Sequence, residues 1–460
     1  MQVNNICCIG AGYVGGPSMA VIAQKNPDIK VTVVDANLKK IRAWNGPLDK
    51  LPVYEPGLSN ILEKTRGKNL FFSNDISKAI NEAQLIFMAV NTPTKIEGEG
   101  AGMAADLENI VACAKDIAKY SDSDKIVVEK STVPIRTAEK IKEILNSSKS
   151  NVKFEILSNP EFLAEGTAIE DMFSPDRVLI GGDETESGSK AVQVLVKIYS
   201  NWVSNDKIYT TNVWSSELSK LASNAMLAQR VSSINSLSAF CEKTGADIEE
   251  LSKAIGMDSR IGPKFLRASV GFGGSCFQKD ILNLVYLCKF YRLNEVAEYW
   301  HQVVKINNYQ KNRIAEKVIA QLDKNLERKK ILLLGWAFKA NTNDSRESPA
   351  IQIGKKLYEA GAILHIYDPM VSREIILDDI KREWIITNKK NKQDDLVSIF
   401  HSVDNNFYNE KYDAILILTN WDEFSLLDWK NIFSKNTFVF DMVNVLKGIK
   451  NYNLFKLGKQ

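Results

Sequence analysis

The segment ICCIGAGYVGG at residues 6–16 begins as a short apolar run and continues into three glycines, Gly10, Gly12 and Gly15. This order is typical of a buried parallel strand, a tight turn and the start of a helix. A second apolar run, VTVVD at 31–35, ends in an aspartate 20 residues after the third glycine. Together they predict a doubly wound α/β domain that binds a dinucleotide.

Each glycine of this pattern has its own physical task. The first permits the turn, the second lets the backbone approach a pyrophosphate, and the third lets the helix pack on the strand. Asp35 would accept hydrogen bonds from ribose hydroxyls and repel a 2′-phosphate, which favours NAD over NADP despite the nearby Lys39 and Lys40. The alternative interpretation is a glycine turn beside a solvated aspartate.

The α/β pattern continues along the first part of the chain and resumes near its end. A stretch without strand signals separates these two regions. Apolar runs predict further strands at 85–90, 126–129, 154–157, 331–334, 363–367, 414–418 and 437–440. The stretch from about 215 to 325 lacks strand signals, and a long helix from Ser215 to about Lys243 is predicted there. The fold class is therefore α/β, with two Rossmann-like doubly wound domains joined by a helical region with a long central helix. The predicted domains are 1–212, 213–325 and 326–460.

Composition excludes several classes of function. The 460 residues carry 59 Lys and Arg against 56 Asp and Glu, interspersed, so no nucleic-acid partner is expected. No apolar stretch approaches the ~18 residues of a membrane span, and the first residues resemble no leader peptide. Six cysteines without a C-x-x-C pair and three histidines argue against a metal site and a disulfide framework. These features predict a cytoplasmic protein with no metal and no membrane partner.

The segment GFGGSCFQKD at 271–280 is the strongest candidate for catalysis. Cys276 follows three glycines and precedes Lys279 and Asp280. Glycines free the backbone to approach a ligand, and a nearby ammonium favours the thiolate. A buried inert thiol is the alternative, and it is the interpretation we favour for the remaining cysteines, Cys7, Cys8, Cys113, Cys241 and Cys288.

Other charged residues have both a functional and a solvated interpretation. Lys220 and Asn224 lie one turn apart on the predicted long helix, on a face that continues as apolar, so the lysine could be desolvated and useful as a base or an oxyanion donor. Glu161 and Glu165 lie in a loop punctuated by Pro and Gly, SNPEFLAEGTA at 158–168. In FKANTNDSRES at 338–348, Lys339 and Arg346 could contact phosphate.

These motifs together resemble the UDP-glucose/GDP-mannose dehydrogenase family, and within it the animal-type UDP-glucose 6-dehydrogenases. The resemblance covers almost the whole chain and is carried by GAGYVGGP, VTVVD, VNTPTK, EKSTVP, LSNPEFLAEGTA, WSSELSKLA and GFGGSCFQKD. It implies oxidation of the 6-hydroxymethyl group of UDP-glucose to the carboxylate of UDP-glucuronate with two NAD. It also implies a long helix that builds a homodimer or a higher homo-oligomer.

The resemblance assigns roles to individual residues. Cys276 would trap the C6 aldehyde as a thiohemiacetal that is oxidised to a thioester, and Lys220 would stabilise the oxyanion. Asp280 with Thr132 would hold a water molecule and Glu161 would assist proton transfer, with Asn224 as a further catalytic residue. NAD would contact Gly10, Gly12, Tyr13, Val14, Gly15, Asp35, Lys40, Val90, Asn91, Thr92, Pro93, Thr94, Thr132, Glu165, Lys279 and Arg346. The UDP-sugar would contact Phe162, Leu163, Ala164, Glu165, Lys220, Asn224, Arg260, Phe265, Leu266, Arg267, Gly271, Phe272, Gly273, Phe338 and Lys339.

The chain departs from the family pattern at a few positions. Lys40 stands where the family has Arg, and Arg267 stands where it typically has Lys. Both replacements keep the positive charge. In FDMVNVLKG at 440–448, Met442 and Val443 stand where the family has Gly and Arg, and that Arg would reach the UDP-sugar of a neighbouring subunit. This departure predicts weaker substrate binding with intact chemistry. Two alternatives stay open: a related dehydrogenase that acts on a UDP-N-acetylhexosamine, and a dinucleotide-binding regulatory protein without turnover.

Overall fold

The structure is a computed structural model that describes residues 1–147, 151–322, 324–384, 397–400, 410–434 and 437–459. The chain forms two compact units. The first contains residues 1–223 and 282–290, and the second contains 224–281 and 291–460. Each unit is built on one sheet, so the predicted fold class is confirmed.

The first unit has an eight-stranded sheet with the order β3-β2-β1-β4-β5-β6-β7-β8. All neighbouring strands are parallel except β6 and β7. The order reverses direction at β1, so β1 and β4 are neighbours, and ligands of doubly wound sheets bind beyond the carboxyl ends of such strands. The strands are β1 (Asn5–Ile9), β2 (Lys30–Val34), β3 (Leu70–Ser73), β4 (Leu85–Met88), β5 (Lys125–Glu129), β6 (Phe154–Ser158), β7 (Val178–Gly182) and β8 (Ile208–Asn212).

Helices cover both faces of this sheet and bury two hydrophobic cores. Because strand side chains alternate between faces, Cys7 belongs to one core and Cys8 to the other. The helices are α1 (Gly15–Lys25), α2 (Leu38–Asn45), α3 (Leu58–Thr65), α4 (Ile76–Glu82), α5 (Glu108–Tyr120), α6 (Thr137–Asn146), α7 (Ala168–Phe173) and α8 (Glu186–Tyr199), with 3₁₀ turns at Leu48–Lys50 and Asn205–Lys207.

The second unit has a six-stranded parallel sheet with the order β11-β10-β9-β12-β13-β14. Its strands are β9 (Lys330–Leu334), β10 (Ile363–Tyr367), β11 (Val397–Ile399), β12 (Ala414–Ile417), β13 (Phe438–Asp441) and β14 (Leu454–Lys456). The helices of this half of the chain are α9 (Val213–Thr244), α10 (Ile248–Gly256), α11 (Phe277–Phe290), α12 (Asn294–Gln321), α13 (Pro349–Glu359) and α14 (Arg373–Glu383), followed by short helices at Asp422–Ser425 and Trp429–Ser434.

Helix α9 is the predicted long helix, two residues longer at its start and one at its end. In this single chain it keeps several large apolar side chains exposed, among them Met226, Leu237 and Phe240. The sequence of this helix is apolar nearly all round, which predicts burial on both sides, and for one chain that prediction is wrong. Within the described ranges, no helix is both long and apolar enough to cross a bilayer.

Candidate active site

The glycine turn after β1 has the geometry expected of a pyrophosphate site. Gly10 has a φ of +112°, and a Cβ there would lie 2.3 Å from the Ala89 oxygen. A Cβ on Gly15 would lie 1.9 Å from the Gly10 oxygen, whereas nothing lies within 4 Å of one on Gly12. The first and third glycines are therefore required by packing, and the second leaves open space at the start of α1.

Asp35 follows β2 and lies beside this turn. One carboxylate oxygen accepts hydrogen bonds from the Ala11 N–H at 3.0 Å and from Lys40 Nζ at 2.8 Å, and the other accepts one from the Asn37 N–H at 2.9 Å. Burial opposes ionisation, but these hydrogen bonds outweigh it and hold the pKa of Asp35 below its ordinary value. The carboxylate is thus a fixed anion, with Lys40 as its counterion.

The loop after β4 and the turn after β5 are bonded to each other. Ser131 Oγ donates to the Val90 oxygen at 2.6 Å, and Thr92 Oγ1 donates to the Thr132 oxygen at 2.7 Å. Both segments follow carboxyl ends of neighbouring strands, β4 and β5. The predicted cofactor residues Val90 to Thr94 and Thr132 therefore come together in the first unit.

A buried ion pair lies in the same unit. Lys220 Nζ is 3.1 Å from Glu161 Oε1, and both side chains are less than a tenth exposed. Glu161 Oε2 accepts the Leu163 N–H at 2.7 Å, and Lys220 also lies over the Phe162 ring, 5.5 Å from its centroid. The desolvation predicted for Lys220 is confirmed.

Lys130 is a second buried cation near Glu161. Its Nζ donates to Asn159 Oδ1 at 3.0 Å and to the Tyr199 hydroxyl at 3.4 Å. Burial lowers the pKa of Lys130 to about 8, while Glu161 works against that shift. In turn, burial opposes ionisation of Glu161, but Lys220, the Leu163 N–H and Lys130 together hold the pKa of Glu161 below its ordinary value. Glu161 is therefore a carboxylate that can accept a proton.

In the second unit, Cys276 directly precedes α11 and is exposed, whereas the other five cysteines are buried. The preceding glycines are required by close packing. A Cβ on Gly271 would lie 2.7 Å from Asn307 Oδ1, and one on Gly273 would lie 2.5 Å from the Glu347 oxygen. Asn307 also bonds both the N–H and the oxygen of Phe272, at 2.8 and 3.0 Å. The segment that carries the thiol is thus held by its backbone.

Asp280 lies in the first turn of α11 and is fully buried. Its carboxylate accepts hydrogen bonds from Asn224 Nδ2 and from Lys279 Nζ, each at 2.6 Å. The second unit therefore brings together Asp280, Asn224 and Lys279, three of the predicted site residues. Lys279 was assigned to NAD by resemblance, and its ammonium is engaged by Asp280 here.

Several other predicted residues lie in the second unit. Gly274 N–H donates to the Arg346 oxygen at 2.8 Å, and a Cβ on Gly274 would contact the Phe338 ring at 3.0 Å. The Arg346 guanidinium binds Asp344 in the same loop, at 2.6 Å. Lys339 lies 5.7 Å from the centroid of the Phe338 ring. Arg260 is exposed and pairs with Asp258, Phe265 is partly exposed with a φ of +61°, and Leu266 is buried.

The remaining predicted residues of the first unit line its loops. Tyr13 donates its hydroxyl to Glu55, whose carboxylate also accepts the Gly166 N–H at 2.6 Å, next to Glu165. The Ala164 N–H donates to Asp171 at 2.9 Å. Asn91, Pro93 and Ala164 are exposed, and Val14, Val90, Thr94 and Leu163 are partly buried.

Sequence reasoning missed Lys130, Glu55 and Asn307 as supporting residues. Each is a polar or charged side chain that is buried next to a predicted site residue. Lys130 and Glu129 directly follow the apolar run of β5, and a charged pair at the end of a central strand was the available signal. Within the described ranges, no group of three or more His, Cys, Asp or Glu side chains is placed to hold a metal ion.

Models of one protein family match three successive parts of the chain. They are the NAD binding domain of the UDP-glucose/GDP-mannose dehydrogenase family at residues 4–203, its central domain at 214–309 and its UDP binding domain at 332–448. The chain belongs to the UDP-glucose/GDP-mannose dehydrogenase family.

Within the UDP-glucose/GDP-mannose dehydrogenase family, the chain is similar to animal and plant members alike. It is 55% identical to the UDP-glucose 6-dehydrogenase of Pongo abelii over 98% of this chain and 91% of that protein. It is 56% identical to UDP-glucose 6-dehydrogenase 2 of Arabidopsis thaliana over 99% of this chain and 97% of that protein. Identity therefore does not separate an animal-type from a plant-type branch.

Solved structures of the family share the fold. A UDP-glucose dehydrogenase from the archaeon Pyrobaculum islandicum is 27% identical with a TM-score of 0.84, covering 99% of this chain and 97% of that chain. A UDP-D-ManNAc dehydrogenase from Pyrococcus horikoshii is 21% identical with a TM-score of 0.79, covering 99% of both chains. The second likeness shows the fold alone.

The first unit fits the NAD that the family implies. Open space at Gly12, the start of α1 at Gly15 and the ionised Asp35 offer a pyrophosphate and a ribose the partners that each requires. The Asp35 charge disfavours a 2′-phosphate at this place.

Proposed function

We infer that this protein is an NAD-dependent dehydrogenase that oxidises UDP-glucose to UDP-glucuronate. The observation that carries this inference is 55% identity to UDP-glucose 6-dehydrogenases over 98% of the chain. The glycine turn with Asp35 and the exposed Cys276 support it from the chain's own residues. Relatives that act on UDP-N-acetylhexosamines share only the fold, at about a fifth of identical residues, which favours the glucose substrate.

We propose the following roles for the second unit. Cys276 Sγ adds to the C6 aldehyde left by the first oxidation and forms a thiohemiacetal, and the second oxidation gives a thioester. A thiol suits both steps because its adducts form and leave readily. When bound, NAD supplies the hydride acceptor for both oxidations. Asp280, fixed by Asn224 and Lys279, orients the water that hydrolyses the thioester.

For the first unit, we propose that Lys220 stabilises the oxyanion at C6 and that Glu161 accepts a proton. The low exposure of Lys220 supports this, because a charge acts more strongly in a site of low dielectric. Glu161 is held ionised by two lysines, so it is ready to accept and not to donate. The remaining site residues keep the NAD and UDP-sugar contacts that the family resemblance implies.

We also propose a division into domains at 1–212, 213–325 and 326–460, which the three family models support at 4–203, 214–309 and 332–448. The exposed Met226, Leu237 and Phe240 of α9 support a homodimer or a higher homo-oligomer, because patches of this kind commonly mark interfaces. The buried or reduced thiols support a cytoplasmic location.

The test is turnover with a panel of UDP-sugars. The purified protein is mixed with NAD and UDP-glucose, UDP-N-acetylglucosamine or UDP-N-acetylmannosamine, and absorbance at 340 nm is recorded while the sugar product is identified by mass spectrometry. We expect about two NADH per UDP-glucuronate and little reaction of the N-acetyl sugars. Preference for an N-acetyl sugar would support the related dehydrogenase, and no NADH with any sugar would support the regulatory protein.

A further inference from the structure

Two buried carboxyl groups near the Thr132 turn, those of Glu129 and Glu217, are close enough for the charge of one to act on the other. Glu129 is the last residue of β5, and Glu217 lies in the first part of α9, three residues before Lys220. Both side chains are almost completely buried, at 1% exposure each. Neither has been given a role above, yet buried acids are costly unless their hydrogen bonds are made.

Glu217 makes the hydrogen bonds of a carboxylate. Its Oε2 accepts the Arg136 N–H at 2.6 Å, and its Oε1 accepts the Ala138 N–H at 2.8 Å. These donors lie at the N-terminus of α6, where main-chain N–H groups are otherwise unsatisfied and negative charge is favoured. Glu217 therefore caps α6 from another helix.

Glu129 has the surroundings of a neutral acid. Within the described part of the chain, no donor reaches either of its carboxyl oxygens. Burial, with the nearby Glu217 charge, raises the pKa of Glu129 well above its ordinary value. Two neighbouring buried carboxyls do not both ionise readily, so one of them stays protonated. Because both oxygens of Glu217 already accept N–H groups, the proton lies on Glu129.

The turn that carries Thr132 runs from the end of β5 at Glu129 to Arg136, and it is held at both ends. Its first residues are bonded to the loop after β4, through Ser131 and Thr132. Its last residue, Arg136, has a φ of +75°, in the left-handed region that a residue with a Cβ rarely adopts. Such a conformation persists only where its surroundings impose it, and the bond to Glu217 does so here.

We propose that Glu217 is a positioning residue that holds the Thr132 turn for cofactor binding. Through one carboxylate, the same helix that carries Lys220 fixes the turn that carries Thr132. The proposal rests on the proposed function for its catalytic meaning. The effect on NAD affinity does not rest on the proposed function, because that affinity is measured without a sugar.

The experiment compares three substitutions in the full chain. Glu217→Gln leaves one acceptor oxygen for two N–H donors, so we expect the Kd for NAD to rise about tenfold or more and kcat to fall. Glu129→Gln keeps a neutral side chain there, so we expect both constants within about twofold of the original protein. Glu217→Asp keeps the charge, and we expect an intermediate Kd.

The matched control removes a helix cap elsewhere in the same unit. Thr185 Oγ1 accepts the Gly188 N–H at 3.0 Å at the start of α8, and Thr185→Ala is expected to cost stability of a similar order without changing the Kd for NAD. The proposal is overturned if Thr185→Ala weakens NAD as much as Glu217→Gln, if Glu217→Gln and Glu217→Asp both bind NAD normally, or if Glu129→Gln is the most damaging change. If Glu217→Gln does not fold, the Asp variant decides. If the unsubstituted protein does not turn over UDP-glucose, the proposed function is contradicted, while the NAD-binding result for Glu217 remains valid.

Discussion

The guanidinium of Arg267 donates a hydrogen bond to the main-chain oxygen of Val443 at 2.6 Å. The same nitrogen lies 3.4 Å from the oxygen of Asn444, whose φ is +52°. The Val443 side chain is buried in the hydrophobic core of the second unit, as is that of Met442. The main-chain oxygen of Val443 therefore binds Arg267, a predicted substrate-binding residue, while the Val443 side chain packs in the core.

This arrangement sets two expectations for Met442→Gly combined with Val443→Arg. We expect the KM for UDP-glucose to fall about tenfold with kcat little changed, since a guanidinium bond to phosphate contributes uniform binding. We also expect the unfolding free energy to fall by at least roughly 2–5 kcal/mol, since a buried Met is truncated and a charged side chain replaces the buried Val443. Steady-state kinetics and urea unfolding measure the two effects. Met442→Gly alone is the control, and an unchanged KM in a folded double variant would contradict the first expectation.

Cys276→Ser tests the thioester. An oxygen ester hydrolyses far more slowly than a thioester, so we expect the variant to stall after the aldehyde is trapped and oxidised. NADH release and intact-mass spectrometry of the protein follow the two stages. Cys288→Ser, at a buried thiol of α11, is the control. Multiple turnover to the acid by Cys276→Ala would rule the covalent route out.

Lys220→Ala should lower kcat by roughly 10²- to 10³-fold if the ammonium stabilises the oxyanion. It should also destabilise the fold, because it leaves Glu161 buried with one counterion fewer. Adding Glu161→Gln tests the stability effect alone, since the unfolding free energy should recover when the unpaired carboxylate is removed, while the kcat effect is measured on Lys220→Ala. A normal kcat in Lys220→Ala would mean that Lys220 has only a structural role.

Asp35→Ser changes cofactor preference. The substitution removes the repulsion against a 2′-phosphate and releases Lys40 from its 2.8 Å ion pair, so the ammonium can attract the phosphate. We expect the ratio of kcat/KM for NADP over NAD to rise about tenfold, the scale of ~1.4 kcal/mol. Asp49→Ser, in the 3₁₀ turn outside the glycine site, is the control. An unaltered ratio would mean that the dinucleotide does not lie against Asp35.

Lys130 predicts how stability changes with pH. Its pKa is about 8 in the folded protein, against about 10.4 for an unfolded lysine. Between these values the unfolded chain binds more protons, so this group makes the unfolding free energy rise with pH, by about 3 kcal/mol over the whole window. Lys130→Met should remove that rise, whereas exposed Lys190→Met should not. Urea unfolding at several pH values from 7.5 to 9.5 measures it, and parallel curves for Lys130→Met and the original protein would refute the assignment.

The sequence predicted the strands and turns whose signals are local. β1, its glycine turn and Asp35 were predicted because period, spacing and residue type agree over one short segment. Five strands were not predicted: β3, β7, β8, β11 and β14. β7 was missed because VLIGG ends in glycines that look like a turn, and β11 and β14 because each has only three residues. The Glu129 and Glu217 contact could not be predicted, since it requires knowing that α9 passes the end of β5. The glycines before Cys276 favoured an exposed thiol but left a buried one open, and the structure shows the exposed one.

The first unit is not a continuous stretch of the gene. Residues 282–290 of α11 belong to it, where Asn283 Oδ1 accepts the Ala105 N–H at 3.3 Å and Tyr286 lies against Gly100. A recombination event that exchanged only the codons for residues 1–223 would therefore bring in a surface around Gly100 and Ala105 selected with a different helix. Inheritance of the first unit as a module therefore requires both coding stretches to be acquired together.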